Sequence, residues 1–330
     1  MRRTIATAAF AAAATMAQAQ GDPALGLRVP DDSAAATLRA VPLTPVASDS
    51  ARVSRALPGW CGKGTRGRRV AQTAVAGTFV GGNLALYEYF RRAWWSGEKA
   101  PFFLNYDWDG NFRDQDKLGH LIGGYLLSEG GRELLQAACM SEKKATLWAV
   151  AYAAAFQLQI ELWDGTQARY GFSPPDVLFN TIGQGLSLSH AFVPPMRAVM
   201  PTISYARTQA LKNTQAGLIP GDLRPTVDYS GQTYWLSIDV DTLLPARAKR
   251  LWPDLLRLDR HTITDFIDPA TGADIRAQRR ILLSLDIDPL KLPGSAPWWV
   301  TIKKGLRHYH FPSPAIEFRN GGVRGVPWHR

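Results

Sequence analysis

Apolar runs broken by short polar clusters fill the middle of the chain, and an alternating pattern replaces them near its last third. Ala71 to Trp95 carries Val75, Phe79, Leu84, Tyr87, Phe90 and Trp94 at helix-like intervals and predicts a first helix. A second is expected from Asp116 to about Cys139 and a third from Glu142 to Trp163, the latter uncharged over the sixteen residues Ala145 to Ile160. The fourth has a legible start: Ser173 as N-cap, Pro174 at the first helical position and Asp176 three residues after the cap. It runs to about Phe192 and stops before Pro194 and Pro195. Short connections then predict a four-helix up-and-down bundle over residues 70–200. Lys99 to Asp114, dense in Asp, Asn and Gly, reads as turns.

After Pro201 the period changes from helical to two, which makes residues 201–330 a β-rich extension and the fold class α+β. Leu236-Ser237-Ile238-Asp239-Val240-Asp241 and Leu283-Ser284-Leu285-Asp286-Ile287-Asp288 are near-copies 47 residues apart, each with aliphatic residues on one face and Ser and Asp on the other. Val300 to Ile302 and Ala315 to Phe318 are further strand candidates, giving a small antiparallel sheet with long loops. The Asp239/Asp241 and Asp286/Asp288 pairs are read as solvated outward faces of strands kept apart. A bridging hard cation would be needed only if the two strands were neighbours.

The start of the chain changes the cellular picture. Arg2 and Arg3, the uncharged Ala-rich run Thr4 to Met16 and the small-x-small site Ala17-Gln18-Ala19 read as a signal peptide over 1–19, so the protein is expected to be exported and periplasmic. No Cys follows that run, so lipidation there is not expected. Residues 20–69, rich in Ala, Pro, Ser and Asp, read as a disordered linker. Cys61 and Cys139, the only two cysteines, could form one disulfide in an oxidising compartment or stay as two thiols. A formal net charge of +10, or +8 once Arg2 and Arg3 are removed, favours an anionic lipid or another anionic envelope component as partner. Export and the lack of a basic run interleaved with aromatics exclude nucleic acid. A mean hydropathy of −0.15 favours a soluble or surface-bound bundle over a membrane-embedded one.

Candidate chemistry gathers between Asp116 and Gly183. Asp116 and His120 are four apart and share a helix face; Glu161 and Asp164 lie at the end of the third helix; Asp176 and Asn180 are one turn apart on the fourth, with Gly183 allowing close packing. If these helices pack side by side, Asp116, Lys117, His120, Glu161, Asp164, Asp176 and Asn180 converge near one end, with Arg169 in reach. Three readings stay open. Lys117 and Arg169 neutralise carboxylates in a structural lock; His120 oriented by Asp116 acts as general acid or base while Lys117 and Arg169 hold a phosphate-bearing lipid or cell-wall precursor; or His120, Glu161, Asp164 and Asp176 bind a metal ion. No cofactor is assigned. Ser187 and Ser189 near His190 lack a glycine-flanked elbow and are weak nucleophile candidates.

The pattern Asp116-Lys117-x-Gly119-His120 with Tyr125, then Glu161 and Asp164-Gly165, then Gly171-Phe172-Ser173-x-x-Asp176-x-x-x-Asn180-x-x-Gly183, resembles the YfiM-like domains of unknown function, predicted periplasmic lipoproteins. Tyr229-Ser230-Gly231-Gln232-x-Tyr234 and the Leu-Ser-x-Asp repeats resemble the C-terminal extension of its longer members. The motif order is also similar to VanZ-like membrane proteins, in which the aromatic follows the His by four residues rather than the five seen at Tyr125. The resemblance implies an envelope location and a helical core, and it supplies no activity. The protein is therefore expected to be a structural or binding protein of the envelope, with a hydrolase or transferase using His120 as the alternative.

Overall fold

The computed structural model describes residues 59–329 apart from 63, 65, 111, 222, 245–255, 260–261 and 320, so the expected signal peptide and most of the expected linker lie outside it. Four helices come first: α1 (Arg66–Ala93), α2 (Gln115–Ala137), α3 (Glu142–Asp164) and α4 (Pro174–Phe192). Helix α1 opens at Arg66, inside the segment read as linker. The start of α4 is as its sequence dictates, with the Ser173 hydroxyl oxygen accepting from the Asp176 N–H at 3.2 Å.

Glycines set how closely the helices approach. A Cβ at Gly183 would overlap the Leu121 carbonyl, and one at Gly124 would meet the Asn180 backbone, so α2 and α4 touch backbone to backbone. Gly131 admits the Ala149 side chain and seats α3 on the other flank of α2. Helix α1 reaches its neighbours through aromatic rings: Phe79 is edge-on to Tyr152 at 4.9 Å and Tyr87 to Trp163 at 4.7 Å. It buries only Val75. Cys61 and Cys139 are joined, Cα atoms 5.3 Å apart, tying the segment before α1 to the end of α2.

Beyond the helices lie β1 (Val199–Tyr205), α5 (Gln209–Gln215), β2 (Gln232–Ile238), β3 (Leu256–Asp259), β4 (Thr262–Ile263), β5 (Arg279–Ile287), α6 (Pro297–Leu306), β6 (Ser313–Arg319) and β7 (Gly322–His329). The strands pair antiparallel in the order β1-β2-β3-β5-β6-β7, with β4 beside β5. The fold is thus mixed helix and antiparallel sheet. Val300 to Ile302, expected as strand, lies inside α6, where Pro297 starts a helix that the short apolar triplet could not reveal. The sheet also starts at Val199, ahead of the expected change at residue 201.

The two near-copies sit on β2 and β5 with β3 between them, kept apart as expected. Their polar faces are the reverse of expectation. Ser237, Asp239, Ser284, Asp286 and Asp288 are buried, while Leu236, Leu283, Leu285 and Ile287 are exposed. Period two defines two faces without saying which is inside, and remote partners decide it here. Lys291 bonds Asp239 at 3.1 Å, His310 lies 3.4 Å from Asp286, and Asp288 accepts from the Leu290 N–H at 3.0 Å. Glu317, facing the same interior, is held by Arg280 at 2.7 Å and Arg324 at 2.9 Å.

This inversion extends to the helices. On α3 the exposed positions between Lys144 and Arg169 that fall on the helix are Leu147, Trp148, Ala151, Ala155, Leu158 and Leu162, a continuous apolar stripe. On α4 they include Leu178, Ile182 and Phe192. Buried on the same helices are Ala145, Ala149, Ala153 and Phe156 together with Thr146, Gln157, Glu161, Asp176, Asn180, Gln184 and Ser187. Among the described residues, buried polar and charged side chains outnumber buried apolar ones. Among the same residues no helix is long and apolar enough to cross a membrane.

Candidate functional site

The close approach of α2 and α4 places Asp176 and Asn180 directly against Asp116, Lys117 and His120, and α3 brings Glu161 and Asp164 to the same end. Lys117 is the centre: its ammonium lies 2.7 Å from Asp107, 3.0 Å from Asp116 and 2.8 Å from Asp176, with the side chain fully buried. Asp107 comes from the loop before α2, where the Ser173 hydroxyl donates to it at 2.7 Å. Asp164 accepts from the Trp95 indole N–H at 2.6 Å. The loop carrying Asp107 is pinned by Arg279 at the start of β5, 2.6 Å from Asp114, and by Arg276 just before that strand, 2.8 Å from Asp109.

His120 sits beside this ion-pair centre and reaches solvent, its side chain 27% exposed. Its Nδ1 is 3.2 Å from the Asn180 Oδ1. The same oxygen accepts a short bond from Gln157 Nε2, and the Gln157 carbonyl accepts from Gln184 at 2.7 Å. This amide relay orients the imidazole. The ring nitrogens stand 3.5 Å from Glu161 Oε1 and 3.6 Å from Asp176 Oδ2. Both separations are long for a hydrogen bond.

Five carboxylates, from Asp107, Asp116, Glu161, Asp164 and Asp176, therefore gather at this end of the helices, three of them on Lys117. Among the described residues Lys117 is the only Lys or Arg in ion-pair contact with them. Burial pushes the Glu161 carboxyl up to about 9, reinforced by the charges of Asp176 and Asp164. Burial likewise raises Asp116 to about 6 against the pull of Lys117, and Asp164 to about 6 against the Trp95 hydrogen bond. Burial alone would depress the Lys117 ammonium, yet Asp116 and Asp176 outweigh it and hold the charge more firmly than in water. Two triads have ligand atoms within 4.8 Å of one another: His120, Glu161 and Asp176, and Asp107, Asp116 and Asp176.

All seven residues expected at the site, Asp116, Lys117, His120, Glu161, Asp164, Asp176 and Asn180, are thus brought together. The orienting partner differs from expectation, because Asn180 and not Asp116 bonds the His120 ring; Asp116 turns toward Lys117. Arg169 stays outside, exposed over the Tyr170 ring at 5.8 Å. Lys117, enclosed by three carboxylates, presents no free ammonium to a phosphate. Sequence reasoning missed Asp107, Trp95, Gln157 and Gln184. Gln157 had a signal, being a polar residue one turn before Glu161 in an uncharged run, whereas Asp107 was hidden among the Asp and Asn of its loop.

A family model described as a predicted periplasmic lipoprotein (DUF2279) matches residues 109–192. That is about a quarter of the chain, spanning α2, α3 and α4 and all seven expected site residues. No protein with a curated description and no solved structure matches the chain. The match supports an exported, periplasmic protein carrying a domain of unknown function.

Proposed function

We propose that this protein is an envelope protein that seats its apolar exterior in one leaflet of a lipid bilayer and uses its polar interior as a rigid internal frame. The inverted polarity carries the reading: exposed Leu147, Trp148, Leu158 and Leu162 on α3 and exposed Leu283, Leu285, Ile316 and Phe318 on the sheet have no place against water at this density. In this arrangement α1 completes a four-helix bundle, with Val70, Val80 and Leu84 facing acyl chains where a soluble bundle would bury them. Exposed Lys143 and Lys144 at the start of α3 add a preference for anionic headgroups. The resemblance to YfiM-like and VanZ-like domains agrees with such a setting.

The test is flotation of the purified chain with vesicles. Leu147 and Leu158 are about half exposed, so each leaves on the order of 1 kcal/mol of transfer free energy to be gained in lipid. Leu147→Glu combined with Leu158→Glu is expected to weaken vesicle binding by about 30-fold or more with an unchanged melting temperature. High salt is expected to remove only the anionic preference. Binding equal to the parent would refute the lipid reading.

A second reading draws on the partial exposure of His120: acid–base chemistry on a phosphate-bearing lipid or cell-wall precursor, with Glu161 protonated at neutral pH beside it. Because Lys117 is occupied, the phosphate would need another holder. Phosphate release from such a lipid that is lost in His120→Ala would support it, and equal release by parent and variant would count against it.

A further inference from the structure

We propose that His120, Glu161 and Asp176 form a binding site for a divalent transition-metal ion, set beside the Lys117 ion-pair centre and open to solvent through His120. Glu161 is 1% exposed and its Oε1 has no hydrogen-bond partner, although it points at the imidazole. A buried carboxylate oxygen left in this way costs free energy unless something is bound there. The distances of 3.5 and 3.6 Å from the ring to Glu161 and Asp176 are too long for hydrogen bonds. The 3.6 Å between Nε2 and Asp176 Oδ2 is close to the spacing of adjacent donor atoms around one ion, roughly 3.0–3.5 Å when each donor is about 2.1 Å from it, and one ligand atom from each of His120, Glu161 and Asp176 lies within 4.8 Å of the others.

The surroundings fit a ligand histidine. With the Asn180 carbonyl as acceptor, Nδ1 carries the proton and Nε2 is left to ligate, the kind of outer partner that metal-bound imidazoles use. Gln157 and Gln184 hold Asn180 in turn. One imidazole with two carboxylates is a mixed nitrogen and oxygen set suited to Zn2+ or Mn2+ more than to Ca2+, which prefers oxygen alone. A dication also balances carboxylates that Lys117 alone does not. The site does not depend on lipid contact, so its failure and that of the lipid reading are separable.

The experiment uses the full chain in detergent, stripped with EDTA and desalted, then titrated calorimetrically with Zn2+ and with Mn2+ while retained metal is counted by elemental analysis. One ion per chain is expected for the parent with at least one of the two metals. Glu161→Gln, which preserves shape, and His120→Ala are each expected to weaken binding by about tenfold or more. Glu133→Gln, at a surface carboxylate remote from the triad, is expected to bind as the parent does. Circular dichroism establishes that the variants are folded, and Glu161→Gln keeps the test decisive if His120→Ala is not. No retained ion in the parent, or parent-like binding by folded Glu161→Gln, would overturn the proposal.

Discussion

Glu161→Gln in metal-free protein gives a pH-dependent prediction whose sign follows from burial. In the unfolded chain Glu161 titrates near 4.5; in the fold it is pushed up to about 9 by burial and by Asp176 and Asp164, with Lys117 opposing and His120 alongside. Between those values the native state holds a proton that the unfolded state has lost, so raising the pH favours unfolding. Each pH unit in this window costs about 1.4 kcal/mol for one proton. Asp116 and Asp164, raised to about 6, have largely ionised by pH 7. From pH 7.0 to 8.5 Glu161 therefore dominates, and the parent should lose about 2 kcal/mol that the variant keeps. Urea unfolding in EDTA, followed by circular dichroism at several pH values, reads this as a midpoint that falls in the parent and stays flatter in Glu161→Gln. Parallel profiles would refute the reasoning.

Other perturbations test the frame around the site. Lys117→Met leaves Asp107, Asp116 and Asp176 without their shared cation and should cost about 3–5 kcal/mol, measured as a large fall in the urea midpoint; an unchanged midpoint would contradict the ion-pair centre. Gly183→Ala drives a Cβ into the Leu121 carbonyl and should destabilise by about 3 kcal/mol, whereas Gly185→Ala, facing open space on the same helix, should be neutral or stabilise by up to about 1 kcal/mol in thermal melts. Cys61→Ser with Cys139→Ser opens a loop spanning 78 positions and should lower stability by roughly 4 kcal/mol, visible as a melting temperature that no longer responds to reductant.

The helical part was legible because its signals are local. Ser173, Pro174 and Asp176 specify the start of α4 by themselves, and charged clusters bracket α3 at Glu142 and Glu161 to Asp164. The convergence of the seven polar residues was legible for a related reason, since i,i+4 spacing fixes a face and Gly183 marks a close contact. The rest depends on contacts made across long sequence separations. Asn180 took the orienting role assigned to Asp116 because the glycine contact brings α4 nearer to His120 than the turn spacing within α2 implies. The sheet could be read as alternating but not as polar inside, because His310 and Lys291, the partners of Asp286 and Asp239, lie more than twenty residues away. The short triplet Val300 to Ile302 carries no period of its own, and only the preceding Pro297 explains its helix.

Where the outer face of α3 goes in the presence of lipid decides whether this protein enters the bilayer. Leu158→Cys labelled with an environment-sensitive fluorophore, at a half-exposed position beside no charged group on its stripe, reports that location. Adding vesicles should shift its emission to the blue, and lipids brominated along the acyl chain should quench it, while a label at Glu133 stays water-like. Emission from position 158 that remains water-like with vesicles in excess would contradict the placement of this face in lipid.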